Sequence, residues 1–363
     1  MKKTTVRLLM AAVAIMIAIS CTEKPGTQEP EQQAGEAGHW PSGVTPYGIS
    51  INQNNGDIIV TSNGDYVTNG DLYVYTNDQM VRLTNLELGA LPSHTVALDN
   101  NRLLVLNEGA WGNNDAALSF VDINEKTAIT DWFAINNGRG MGDVAQDIAL
   151  VGNKAYVSVT FSNSIECVDI NSGISTRIAL DQQAAQNPRY IATSGQNLYV
   201  TCYNPPSVVS IDTLQKNVTA TCLLGKYHPE GICALNGKLY IASSNISDEN
   251  YNYSYNNKVY VVDIATFNLV DSITVGVNPA LVKVLDANNI VVNSWGDYGA
   301  NPGGTYIIDV TTKNITQLDM ALFNFDIYQG NIYGYTSPYA AFKFYKINGA
   351  TRESTEILQP KKR

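Results

Sequence analysis

The chain of 363 residues carries 33 acidic and 23 basic side chains, a formal net charge of -10, with 44% hydrophobic and only 15% charged residues. That balance excludes a disordered chain, which needs high charge and few apolar groups, and it speaks against nucleic acid or an anionic membrane surface as partner, because no basic run is present to meet either. It also argues against a helix bundle with a charged surface, while 21 Tyr and 28 Gly favour short strands and turns, and 3 His with 5 Cys are too few for most metal centres or a disulfide framework.

The first predicted element is an export signal over residues 1–20. Lys2, Lys3 and Arg7 form a positive start, and Leu8 to Ile19 is an apolar run. As a helix that run would be about 18 Å long at ~1.5 Å per residue, against ~30 Å for a bilayer core, so it reads as a signal segment and not a membrane span. It ends in Ala18-Ile19-Ser20-Cys21, small residues before a Cys as in a bacterial lipobox. The expectation is that Cys21 is lipidated and anchors the chain. Thr22 in place of Asp favours the outer membrane and the cell surface. Residues 21–43, rich in Glu, Gln, Pro and Gly, read as a flexible tether.

From residue 44 to 363 one pattern recurs. Asp57-Ile-Ile-Val60, Arg102-Leu-Leu-Val105, Lys154-Ala-Tyr-Val157, Asn197-Leu-Tyr-Val200, Lys238-Leu-Tyr-Ile241, Asn289-Ile-Val-Val292 and Asn331-Ile-Tyr-Gly334 are spaced about 46 residues apart. Short strands at that period predict an all-β fold, a seven-bladed β-propeller of four-stranded antiparallel blades. Within each unit a strand often led by Pro comes first, as in Pro46-Tyr-Gly-Ile, Pro188-Arg-Tyr-Ile, Pro229-Glu-Gly-Ile and Pro279-Ala-Leu-Val. The third strand usually ends in Asp: Asp122, Asp169, Asp212, Asp263 and Asp309. A carboxylate there accepts backbone N–H groups two residues on and fixes a turn, so these residues are read as turn formers and not ligands. The units begin and end in phase, so the ring is expected to close by packing the first blade on the seventh, without a shared strand.

In such a blade the loops after strands two and four emerge on one face. The loops after strand two are long and aromatic: Tyr66, then Trp111 with Asn113 and Asn114, then Tyr203, the stretch from Asn245 to Asn257, Trp295 with Tyr298, and Tyr339. The loops after strand four add Arg139, Arg189, Tyr190 and His228. Loops on the opposite face are mostly tight turns such as Asn54-Asn-Gly56. Aromatic planes offer contact area at low entropy cost, and Arg and Asn set orientation, so these twelve residues form the expected ligand-binding set. Packing of the loops on one another is the competing reading.

Chemical motifs are sparse. No phosphate-cradling Gly-rich loop with Lys and no His-Glu-x-x-His is present, and Gly138-Arg-Gly-Met-Gly142 has no strand–helix context. No catalytic set, metal site or cofactor is read, and no enzyme activity is expected. Cys167, Cys202, Cys222 and Cys233 are read as buried free thiols.

Asn107-Glu-Gly-Ala-Trp-Gly-Asn113, Asn137-Gly-Arg-Gly-Met-Gly-Asp-Val-Ala-Gln146, Asn187-Pro-Arg-Tyr-Ile191 and His228-Pro-Glu-Gly-Ile232 resemble the surface lipoprotein propellers of Gram-negative gut anaerobes, relatives of the YncE-like and surface-layer-like repeat proteins. The resemblance spans essentially the whole mature chain. It implies a cell-surface lipoprotein that captures a bulky small-molecule nutrient, vitamin B12 or another corrinoid, for a TonB-dependent outer-membrane transporter. The Pro-Tyr-Gly-Ile unit, associated with the end of such chains, here opens the fold at Pro46, which implies a shifted starting point around the ring. Two other readings stand beside nutrient capture: an adhesion or interaction propeller for a glycan or protein, and a propeller enzyme.

Overall fold

The computed structural model describes residues 38–40, 45–63, 69–80, 82–180, 183–248, 252–337 and 342–360. Cys21, the signal segment and most of the tether lie outside the described residues, as do Tyr66 and Tyr339. The described chain forms seven four-stranded antiparallel sheets, each built from four strands consecutive in sequence. The recurring Leu-Tyr-Val segments are the second strands throughout, so the repeat was read in register.

The first strands, Pro46–Ile51, Pro92–Ala97, Ala145–Val151, Gln186–Ser194, Tyr227–Leu235, Pro279–Val284 and Asn324–Tyr328, pack against one another around the ring and line its axis. Proline lacks the N–H that a ladder needs and is tolerated at the start of a strand. In six of the seven first strands a bulge follows within three residues. A bulge frees a backbone N–H, and the second strand often supplies the acceptor. Thr61 Oγ1 takes the N–H of Gly48 at 2.9 Å, Ser158 Oγ that of Asp147 at 3.0 Å, Thr201 Oγ1 that of Tyr190 at 3.0 Å, and Asn293 Oδ1 that of Leu281 at 2.7 Å. The Thr, Ser or Asn directly after the Leu-Tyr-Val motif is therefore a bulge acceptor. Bulges bend a strand and re-aim its side chains, here at the mouth of the axis.

Seven hydrophobic clusters fill the seven seams between blades. Alternation sends one face of each strand to the preceding seam and the other to the next: Ile165 and Cys167 join the cluster toward blade four, Val168 the one toward blade two. The closing seam is the aromatic one. Trp40, from the segment read as tether, is 1% exposed and packs on Tyr73, Tyr75, Phe342 and Phe344 with ring centroids 4.9–6.2 Å apart. His39–Trp40 pairs in parallel with Gln359–Pro360. The ring closes by face packing, with this short two-stranded clasp added and no blade strand shared.

The third-strand Asp residues do what their position predicts. Asp122 accepts the N–H of Glu125, Asp169 those of Asn171 and Ser172, Asp212 those of Leu214 and Gln215, Asp263 that of Thr266, and Asp309 those of Thr311 and Thr312. In blade seven Asn348 takes the same role toward Ala350 and Thr351. Cys167, Cys202, Cys222 and Cys233 are buried and free.

One element was not foreseen. The connection between blades two and three contains a short helix, α1 (Trp132–Asn137), ended by Gly138 in the left-handed region at φ 63°. A residue without Cβ is favoured at that position, which accounts for the first glycine of Gly138-Arg-Gly-Met-Gly142.

Candidate functional site

The topology puts the loops after strands two and four on one face, and the described residues of the expected ligand-binding set fall on it. They divide into an axial group, a seam group and a rim group. Arg189 and Tyr190, expected in a loop, lie on the first strand of blade four, and His228 on that of blade five. The bulges bring those strands to the mouth of the axis.

The axial group extends well beyond the residues foreseen. Arg189 Nε donates to Glu230 Oε2 at 2.6 Å, and its guanidinium lies 5.9 Å from the Tyr190 ring centroid and 5.6 Å from that of Tyr203. The Tyr190 ring meets His94 edge-on at 6.2 Å. Asp147 accepts the N–H groups of Ile148 and Ile191, each at 2.8 Å, and so ties blade three to blade four. Asp326 accepts the N–H of Ile51 at 2.7 Å, tying blade seven to blade one, and pairs with Lys283 Nζ at 2.7 Å. Glu108 receives the Tyr47 hydroxyl at 3.3 Å. Every blade thus contributes a polar side chain to the axis: Tyr47, His94, Asp147, Arg189, Glu230, Lys283 and Asp326.

Electrostatics mark the same region. Burial raises the Glu108 carboxyl to about 7, against the opposing pull of Arg189 and the Tyr47 hydroxyl. Burial likewise raises Asp147 and lowers His94, which keeps that imidazole neutral. Burial, reinforced by Glu230, lifts the Tyr190 phenol well above its ordinary value. Such a gathering of shifted groups in one concavity is a common property of binding and catalytic sites.

The seam group is committed internally. His228 is buried, with Nδ1 3.1 Å from the Tyr203 carbonyl and Nε2 3.0 Å from Ser247 Oγ, and its ring lies against Tyr203 at 4.4 Å and Tyr253 at 5.2 Å. Trp295 stacks on Phe323 at 5.1 Å and 9°, and its Nε1 donates to the Phe323 carbonyl at 3.0 Å. Arg139 donates both Nη groups to Glu166, at 3.0 and 2.8 Å, over the ring of Phe133. Glu166 is fully buried and also takes Arg177 Nε and Ser175 Oγ, each at 2.6 Å, which holds its carboxyl below the usual range against the cost of burial. These three residues fasten neighbouring strands and blades.

The rim group is open. Trp111 is 59% and Tyr298 67% exposed. The Asn113 amide donates to Asp115, and Asn114, at φ 62°, lines a cleft of about 470 Å³ with Arg139, Ser162 and Arg177. The stretch from Asn245 to Asn257, expected as a loop, is largely strand. Lys238–Ser247 and Tyr253–Asp263 continue past a bulge at Ser243/Asn245 to pair Ser247 with Tyr253. This hairpin has the longest strands of the ring and carries Tyr253 and Tyr255 exposed. Among the described residues the exposed aromatic side chains are Trp111, Phe161, Tyr253, Tyr255 and Tyr298; Trp111, Phe161 and Tyr298 belong to connections between second and third strands, and Tyr253 and Tyr255 to the start of the third strand of blade five, at the same end of the blade.

Sequence reasoning missed Tyr47, His94, Glu108, Asp147, Lys283 and Asp326 as site residues. A signal was present for some of them: the one or two residues after the leading Pro of a unit are those that the bulge turns toward the axis. Asp147 and Asp326 follow no Pro.

No protein-family model matches the chain, and no curated protein sequence matches it. Solved structures do. Hydrazine synthase from Kuenenia stuttgartiensis is similar with a TM-score of 0.64 at 13% identity, over 92% of this chain and 99% of that one. The computationally designed Ika8 protein gives 0.58 at 10%, over 89% of each chain. The Neurospora crassa Pan2 WD40 domain gives 0.56 at 12%, over 80% of this chain and 86% of that one. At these identities the likeness is one of fold, and it agrees with the seven-bladed propeller built above.

Proposed function

We propose that the chain is a surface binding lipoprotein whose long-loop face captures a bulky small-molecule nutrient, a corrinoid, and passes it to a TonB-dependent outer-membrane transporter. The observation that carries the binding reading is the confinement of the exposed aromatic side chains to one face of the ring. Exposed aromatics cost free energy to leave in water, and a set of them around a polar mouth suits a ligand with a broad face and polar edges. The corrinoid and the transporter come from the resemblance to the surface lipoprotein propellers, whose vitamin B12-capturing member is BtuG. The lipid anchor comes from the Cys21 junction. Trp111 and Tyr298 pack against the ligand face, while Arg189, Tyr190 and Asn114 meet its polar edge. His228, Trp295 and Arg139 hold the scaffold in place behind them.

Spectral and calorimetric titration of the purified mature chain with cyanocobalamin tests this reading. Micromolar or tighter binding is expected, and no binding in that range refutes the corrinoid assignment. Fractionation of a Cys21→Ser variant tests the anchor: it should leave the membrane fraction. A second reading has one observation in its favour. The protruding hairpin of blade five, with Tyr253 and Tyr255, suits a glycan or protein partner, and binding of a glycan array with no response to corrinoids would favour it.

A further inference from the structure

The mouth of the axis holds donors that the protein itself does not use. Arg189 spends only Nε on Glu230; among the described residues its two Nη groups, which carry four hydrogens, make no hydrogen bond. The Tyr190 hydroxyl makes none there either, and His94 Nδ1 is buried without a partner. The acceptors nearby are nearly all taken. Glu230 accepts from Arg189 and Ser244, Asp147 from two backbone N–H groups, and Asp326 from Ile51 and Lys283. Glu108 alone has a single bond, from Tyr47. Unused donors around an arginine fork call for a ligand that brings acceptor oxygens, and a planar carboxylate matches the fork in two parallel bonds.

We propose that the axial mouth is a binding site for a carboxylate, held by the Nη edge of Arg189 and the Tyr190 hydroxyl, and that the ligand enters together with a proton on Glu108. The carboxylates of ligand and Glu108 compete for the same guanidinium. An ionised Glu108 repels the incoming anion, whereas a protonated Glu108 does not. This site shares Arg189 and Tyr190 with the polar edge assigned above to the bulky ligand, and acetate as the probe tests it apart from that reading.

The groups that act on Glu108 are Tyr47 from blade one and Arg189 and Tyr190 from blade four, with His94 and Asp147 on the first strands of blades two and three. Glu230, Lys283 and Asp326 complete the ring. Glu230 is paired with Arg189 and Asp326 with Lys283, and burial lowers His94. Glu108 is the group positioned to titrate near neutrality. The sign follows: below about pH 7 it already carries the proton, and above it each bound anion must bring one in. Affinity therefore falls by about tenfold between pH 6 and pH 8.

The probes are acetate and its neutral counterpart acetamide, titrated calorimetrically into the mature protein at pH 6 and pH 8 in two buffers of different ionisation enthalpy. Saturable acetate binding on the order of millimolar is expected at pH 6, as suits so small a ligand, with acetamide much weaker. At pH 8 close to one proton should be taken up per acetate. Glu108→Gln should bind acetate equally at both pH values. Tyr190→Phe, which removes only the hydroxyl, should weaken it several-fold. Equal binding of acetamide, no saturable binding at pH 6, or an unchanged pH dependence in Glu108→Gln would each overturn the proposal. A protein that takes cyanocobalamin but no acetate loses this site and keeps the corrinoid reading.

Discussion

The two faces of the ring use the same residue types to opposite ends. On the tight-turn face, Asp and Asn side chains turn back onto their own backbone: Asp169, Asp212 and Asp309 each accept two N–H groups of the turn they start, and Asn348 does the same in blade seven. Those carboxylate and amide oxygens are spent on the turns themselves. On the long-loop face, the buried His228 and Glu166 and the half-buried Trp295 are engaged with neighbouring strands, while Trp111 and Tyr298 are mostly exposed and the Arg189 fork makes one bond of its possible five. Blades need well-formed turns to fold, and one face satisfies that need alone. The other face has room for side chains that do not contribute to folding.

This contrast separates variants that break the scaffold from variants that touch only binding. The largest stability effect is expected at Glu166. Its replacement by Ala leaves Arg139 and Arg177 facing an empty pocket in the blade two–three seam, and should cost about 3 kcal/mol in urea unfolding. Trp295→Ala removes the stack on Phe323 and the bond to its carbonyl, and should cost about 2–3 kcal/mol. If either leaves stability unchanged, the division between committed and open residues fails at that point. Asp309→Ala should lower the urea midpoint slightly, by loss of the turn bonds, and leave binding on the other face untouched. Trp111→Ala and Tyr298→Ala should move stability by less than about 0.5 kcal/mol, since both side chains are mostly exposed.

A pH scan of stability sharpens the picture at the axis. The Glu108 carboxyl is raised by burial from 4.5 to about 7, so the folded chain binds more protons than the unfolded one between those values. Stability contributed by the neutral form is fully present below about pH 4.5 and declines as pH rises through 7. Glu108→Gln should flatten that decline. An identical profile in wild type and variant would show that Glu108 is not the group responsible.

The fold was legible because a propeller repeats its instructions. Seven copies of a Leu-Tyr-Val strand at a constant period fix the blade count, and the Asp at the end of the third strand marks the turn by local chemistry alone. In blade seven the same role falls to Asn348, which a pattern built on Asp does not include. The site was only partly legible. Loop length and aromatic content pointed to the correct face, but which aromatics are consumed depends on partners 20–30 residues away. The Trp295 stack on Phe323 and the Arg139 fork on Glu166 cross between strands or blades, and no local pattern announces them. The axial ring escaped notice because its members come one from each blade and only converge once the ring is closed.

The central claim is that the long-loop face binds and the tight-turn face does not. The most direct test is one cyanocobalamin titration run in parallel on the wild type, the Trp111→Ala, Tyr298→Ala double variant and Asp309→Ala. Each lost aromatic contact commonly costs about 1–3 kcal/mol, so the double variant should bind at least tenfold more weakly with its unfolding midpoint unchanged, while Asp309→Ala should bind as the wild type does. Equal affinity in the double variant, or a loss confined to Asp309→Ala, would contradict the assignment of the binding face.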